Sequence, residues 1–143
     1  MDLGLQNQVA IIFGGTSGVG LATAHALQAE GAKVAIGGRS PERLSAALAS
    51  FPQGAPVLGK TVDVTAEREV AGFVDAALAR WGRVDVVVNA AGQSLMRPFF
   101  AVDDADWHAQ WALKVMAVVY AVRAVVPAMQ AQGGGVIINL NST

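Results

Sequence analysis

The sequence predicts an α/β fold, a doubly wound parallel sheet with helices on both faces. Three observations carry that prediction. Five short apolar runs, at residues 9–13, 33–37, 56–62, 84–88 and 136–140, alternate with segments of helical pattern. The runs are apolar on both faces rather than alternating, as strands covered from two sides are. The first run feeds a glycine-rich turn and then a helix, the usual opening of such a sheet. Right-handed crossovers leave few topologies, and the strand order 3-2-1-4-5 is the leading one.

Each element has its own local signals. After residues 9–13, the turn Gly14-Gly15-Thr16-Ser17-Gly18-Val19-Gly20 opens a helix over 19–30, whose alanines let it lie close to a sheet. Gly31 stops it. Beyond the second strand, Ser40 is placed to cap a helix with Pro41 at its first position. The Phe51-Pro52-Gln53-Gly54 segment breaks that helix. The third strand runs into Asp63-Val64-Thr65, where Thr65 is expected to cap a helix reaching Trp81, with Gly82 as its stop. The fourth strand ends in Asn89-Ala90-Ala91-Gly92. Asp103, with Asp106 three residues on, then opens a long helix to about Gln132, and residues 133–135, all glycine, return the chain to the fifth strand.

In the predicted order the fifth strand is the outer edge, yet it is almost wholly apolar. Edge strands normally carry a charge, a proline or a bulge. The chain is therefore expected to be a fragment of a longer protein, or to have this edge covered by another chain.

Composition narrows the function classes. With 143 residues, 53% hydrophobic and 15% charged, the chain suits one core-rich domain over 1–143. A net charge of -1 supplies no basic field, so nucleic acid is not an expected partner. The lack of cysteine excludes a disulfide framework and thiolate metal sites, and no other metal site is expected. Met1 to Gln8 lack the basic segment and long apolar core of a secretion signal. Lys114 and Arg123 interrupt the apolar stretch 112–131, and Pro127 lies near its end, so no unbroken run of about 18 apolar residues forms a membrane span. A helix buried on most of its circumference, in a soluble cytoplasmic protein, is expected instead.

The chemistry begins at the first turn. Free N–H groups and the positive end of a helix dipole make it a natural phosphate site. Its spacing, Gly14-x-x-x-Gly18-x-Gly20, comes after a strand and opens a helix, which is the context a dinucleotide site needs. An acidic residue ending the second strand, about 20 residues past the glycines, would bind the ribose diol of NAD. This chain has Gly37-Gly38-Arg39-Ser40 there. Arg39 offers a forked grip on the additional ribose phosphate of NADP, so NADP(H) is expected over NAD(H).

Together these motifs resemble the short-chain dehydrogenase/reductase family over essentially the whole chain. That family's glycine motif reads Thr-Gly-x-x-x-Gly-x-Gly, and Phe13 stands here in place of the threonine. The resemblance implies a Rossmann-type cofactor-binding portion with Gly14, Thr16, Ser17, Gly18, Val19 and Gly20 around the pyrophosphate. It implies that Asp63, paired with Val64, accepts a hydrogen bond from the adenine amino group. It also implies that Asn89, Ala90, Ala91 and Gly92, resembling the family's Asn-Asn-Ala-Gly, let the cofactor ribose pass close to the backbone.

The family's catalytic set is Asn, Ser, Tyr and Lys. Asn139-Leu140-Asn141-Ser142 resembles the segment that supplies the serine, which makes Ser142 the candidate to polarise a substrate carbonyl. Lys114 falls at the Asn position on the long helix, a departure from the pattern. It is either a contributor to the proton path or a lysine tolerated on a helix flank. The Tyr-x-x-x-Lys motif is absent, and Tyr120 has no lysine four residues on, so this chain alone is expected to be inactive. His25 and His108 read as structural, and Trp107 and Trp111 as packing residues.

The resemblance implies an NADP(H)-dependent oxidoreductase that passes hydride between the nicotinamide and a carbonyl or secondary alcohol. A homo-oligomer through the long helix, 103–132, is its implied assembly. A dinucleotide-binding module without catalysis, or a structural or regulatory protein of the same fold, is the alternative.

Overall fold

The computed structural model describes residues 1–141. Strand β1 (Val9–Phe13) leads into α1 (Gly18–Ala29), β2 (Lys33–Gly38) into α2 (Pro41–Ala49), and β3 (Val57–Thr61) into α3 (Glu67–Trp81). After β4 (Val86–Asn89) a loop with one 3-10 turn at Phe99–Ala101 reaches α4 (Asp104–Trp111). A π-helical turn (Ala112–Met116) joins α4 to α5 (Ala117–Ala131), and β5 (Val136–Asn139) comes next. All pairings are parallel, in the order β3-β2-β1-β4-β5, as the sequence predicts.

The sheet divides two cores by the strand's period of two. Ile11 and Phe13 of β1 face Val70, Phe73 and Val74 of α3 and Ala121 and Val125 of α5. Ala10 and Ile12 face the other way, onto Ala24 of α1 and Leu44 and Ala47 of α2. Every residue of β1 is buried, and each large aliphatic side chain so placed contributes about 1.5–3 kcal/mol. The strand ends are thus held in a rigid row.

Several local expectations hold in detail. Ser40 caps α2, its hydroxyl accepting from the Arg43 N–H at 3.2 Å, with Pro41 in the first turn. Asp103 and Asp106 form a reciprocal capping box at the start of α4. Gly82 ends α3 in a left-handed conformation, φ 74°.

Thr65 does not cap α3. Its N–H and hydroxyl both donate to Asp63 Oδ1, at 2.9 and 2.7 Å, in a tight turn that spends the side chain locally. The helix then starts after Ala66, which has no side-chain oxygen to offer. At the opposite end of the sheet, Asp85 is buried and accepts from the Val9 N–H at 2.8 Å and from both Arg83 Nε and Nη2. Gln132, just past α5, also donates to Asp85 and to the Val84 carbonyl, so one carboxylate ties β1, β4 and the end of α5 together.

The long helix departs most from expectation. It is continuous over Asp104–Ala131 and, by length and composition, long and apolar enough to cross a membrane. Only 22% of its most apolar window is buried. One row, Ala117, Ala121, Val125 and Met129, is buried in the core, Leu113, Tyr120, Ala124 and Val126 pack partly against it, and the outer side is open among the described residues. The helix covers the β4 side of the sheet next to α3, and a helix laid on one sheet face hides one stripe. Of the two tryptophans expected to pack, Trp107 meets Phe99 edge-on at 6.1 Å yet is 52% exposed, and Trp111 is 62% exposed. On β5, Val136 and Ile138 are also open to solvent.

Candidate cofactor site at the strand ends

Parallel strands bring their C-terminal ends to one rim of the sheet, where α/β proteins bind ligands. The β1–α1 turn sits at the middle of that rim. The Gly14 and Gly15 N–H groups donate to the Gly37 carbonyl at 2.9 and 3.0 Å, tying the turn to the end of β2. Gly14 has φ +76°, and a Cβ there would lie 2.6 Å from the Ala91 nitrogen. At Gly20 a Cβ would collide with the Gly14 carbonyl oxygen. Only glycine at both positions lets α1 and the segment after β4 close on the turn.

What the turn leaves open matters as much. Ser17 occupies the N-cap of α1 but makes no side-chain capping bond, and the first turn holds no acidic residue. The leading N–H groups of α1 are therefore free for an external acceptor. Gly18 has φ +53°, and a Cβ there would meet nothing within 4 Å; the same open space lies over Gly92. Ser17, Gly18 and Val19 are exposed, and Thr16 packs against Gly38 at the end of β2.

Arg39 comes directly after Gly38, exposed. Asp63 stands beside it after β3. The Thr65 hydroxyl and N–H hold the Asp63 carboxyl below the usual carboxylate range, with the Arg39 charge adding to the effect against the cost of burial. Val64 is buried beneath. On the other side of the turn, Ala90 N–H donates to the Phe13 carbonyl at 2.9 Å. Asn89 donates from Nδ2 to Asn139 Oδ1 at 2.8 Å, across the β4–β5 pair. Phe13, in place of the family threonine, packs edge-on against Phe73 at 5.4 Å and is buried.

A cavity of about 390 Å³ opens between these segments, lined by Phe13, Val19, Val64, Asn89, Ala90, Ala91 and Gly92, and by Lys114 and Asn141. The rim therefore brings Val19, Val64 and 89–92 to one cavity with Lys114. Arg39 and Asp63 flank the turn on the β2–β3 side rather than lining it. Ser142 lies outside the described residues, while Leu140 and Asn141 just before it line the cavity. Gln93 and Ser94 also line it, and their only signal in the sequence is that they continue directly from Gly92. The residues present fit a dinucleotide: an uncapped helix start, bare backbone at Gly18 and Gly92, and a cavity continuing from that turn.

The family model for short chain dehydrogenases matches residues 8–143. An uncharacterized oxidoreductase of Staphylococcus saprophyticus is 33% identical over 140 residues, which are 96% of this chain and 60% of the relative. L-sorbose reductase of Gluconobacter frateurii, solved with NADPH and L-sorbose, superposes with a TM-score of 0.92 at 38% identity, over 97% of this chain and 54% of that one. A variant of actinorhodin polyketide ketoreductase, solved with NADPH, gives 0.90 at 32% identity, over 95% and 53%. The chain thus spans little more than half the length of the proteins it matches. The match over nearly every residue, on a sheet of the same order with its glycine turn at the rim, establishes that the chain belongs to the short chain dehydrogenase family.

Proposed function

We propose that the protein, at its natural length, is an NADP(H)-dependent oxidoreductase interconverting a carbonyl compound and a secondary alcohol. The observation that carries this reading is the uncapped start of α1 over an open glycine backbone, with Arg39 and no carboxylate ending β2. In this reading Gly14, Thr16, Ser17, Gly18, Val19 and Gly20 hold the pyrophosphate by backbone donors and the helix dipole. Arg39 pairs with the additional ribose phosphate, and Asp63 keeps Oδ2 as an acceptor for adenine while Oδ1 serves Thr65. Asn89, Ala90, Ala91 and Gly92 give the ribose a close, small-residue wall. The bound nicotinamide would supply or take up the hydride. Ser142 would donate its hydroxyl to the substrate oxygen, and Lys114 lines the cavity among the described residues. The solved NADPH complexes of two similar proteins support the choice of NADP(H).

Residues 1–143 carry no Tyr-x-x-x-Lys, so this segment alone is proposed to lack turnover. The exposed apolar side of the 104–131 helix supports assembly as a homo-oligomer through 103–132. The cytoplasm is its proposed compartment. The test is oxidation of NADPH and of NADH by the natural-length protein with a panel of ketones. NADPH is expected to be the preferred donor, and Arg39→Ala to lower kcat/KM for NADPH by roughly tenfold or more while sparing NADH. A preference for NADH, or an Arg39→Ala effect equal for both donors, defeats the NADP assignment.

A further inference from the structure

Lys114 is the one charged side chain lining the cavity among the described residues. The three ion pairs of the described residues all involve arginine, so the Lys114 ammonium has no carboxylate partner there. The other described lining residues are neutral, with Asn89, Gln93, Ser94 and Asn141 as polar groups and Leu140 as an apolar one. The backbone gives this lysine an uncommon setting. Ala112–Met116 form a π-turn, closed by the Ala117 N–H donating to the Ala112 carbonyl five residues back. One extra residue rotates the succeeding helix by about 100°, and such turns gather at functional sites. The buried row of the long helix begins immediately after it, at Ala117.

The proposed phosphate donors lie at the start of α1, whose Val19 forms one edge of the cavity, whereas Lys114 stands on the helix that packs against the other face of the sheet. An ammonium on a flexible four-carbon stem, with no other charge among the described lining residues, attracts an anion, and a charge-assisted hydrogen bond is roughly twice as strong as a neutral one.

We propose that Lys114 determines substrate specificity: the cavity takes a carbonyl compound that carries a second, anionic group, a carboxylate or a phosphate, which the Lys114 ammonium holds. This rests on the oxidoreductase reading of the site. Neutral ketones would then lack the contact that orients the reacting carbonyl.

Two matched pairs test it in the natural-length protein: levulinate against methyl propyl ketone, and dihydroxyacetone phosphate against dihydroxyacetone. The wild type is expected to favour the anionic member of at least one pair, and which pair responds distinguishes carboxylate from phosphate. Lys114→Met is expected to raise KM for that anionic ketone by roughly tenfold with little change for its neutral partner, and Lys114→Arg to retain the preference. Independently of turnover, the ε-methylene signal of isotope-labelled Lys114 is expected to shift on titration with the anionic ketone in cofactor-free protein, and not with the neutral one. Equal loss of kcat for charged and neutral ketones with a displaced pH profile would make Lys114 part of the proton path and overturn the proposal. Loss of NADPH affinity in Lys114→Met, or no discrimination by the wild type, overturns it as well. Failure of the wild type to bind NADPH at all would instead remove the oxidoreductase reading, while the lysine titration would still report on the anion.

Discussion

Single residues at the two ends of the sheet do different work. At the rim, Gly14 and Gly20 are required by contact, because a Cβ at either would overlap backbone atoms of neighbouring segments. Their spacing was legible in the sequence for that reason. Arg39, expected from the sequence to grip a ribose phosphate, stands exposed directly after β2, and its role is part of the proposal. Asp85, at the far end, was not legible: an aspartate entering an apolar run gives no sign that it will bind the Val9 N–H 76 residues away. Burial pushes the Asp85 carboxyl up, but hydrogen bonds from Arg83 and the Val9 N–H, with the Arg83 charge, hold it below its ordinary value of 3.8. An acid whose folded pKa is depressed contributes its stability in full above the unfolded value and loses it as pH falls through the folded one. Asp85→Asn is therefore expected to destabilise at neutral pH by roughly 1–3 kcal/mol and to flatten the acid side of the Tm–pH curve below about pH 4. Parallel curves for the two proteins would show that Asp85 carries no such linkage.

At the scale of elements, the caps divide the legible from the hidden. Asp103 with Asp106, Ser40 with Pro41, and Gly82 act where the sequence puts them, since each works on its immediate neighbours. Thr65 had a better partner in Asp63 two residues back, a competition that cap signals alone do not resolve. The π-turn at Ala112–Met116 was hidden for another reason: Ala-Leu-Lys-Val-Met is ordinary helical sequence and carries no local signal for the wider turn. The extent of burial of α5 was hidden as well, because a helix apolar nearly all round does not say which stripe is covered. Asp103→Ala is expected to cost roughly 0.5–2 kcal/mol and to speed amide exchange in Asp104–Trp111 while leaving β1 protected. Uniform acceleration across the chain would mean that α4 does not open as a local unit.

For the molecule as a whole, alternation of strand and helix with doubly apolar strands was enough to order the sheet, since parallel pairing and right-handed crossovers leave little freedom. The same order explains why the candidate cofactor residues, spread from Gly14 to Gly92, meet at one rim. It also accounts for two of the places where apolar surface remains, β5 and the outer side of the 104–131 helix.

The β1–α1 turn is proposed to hold the phosphates of a dinucleotide. The most direct test is a fluorescence titration of NADPH with the natural-length protein and its Gly18→Ala variant. Gly18 faces open space, so alanine there costs the fold only about 1–2 kcal/mol for its positive φ while placing a methyl where the ligand would lie. Saturable NADPH binding by the wild type is expected, weakened by roughly tenfold or more in the variant with a modest drop in Tm. Absence of saturable binding, or equal affinity in the two proteins, would contradict it.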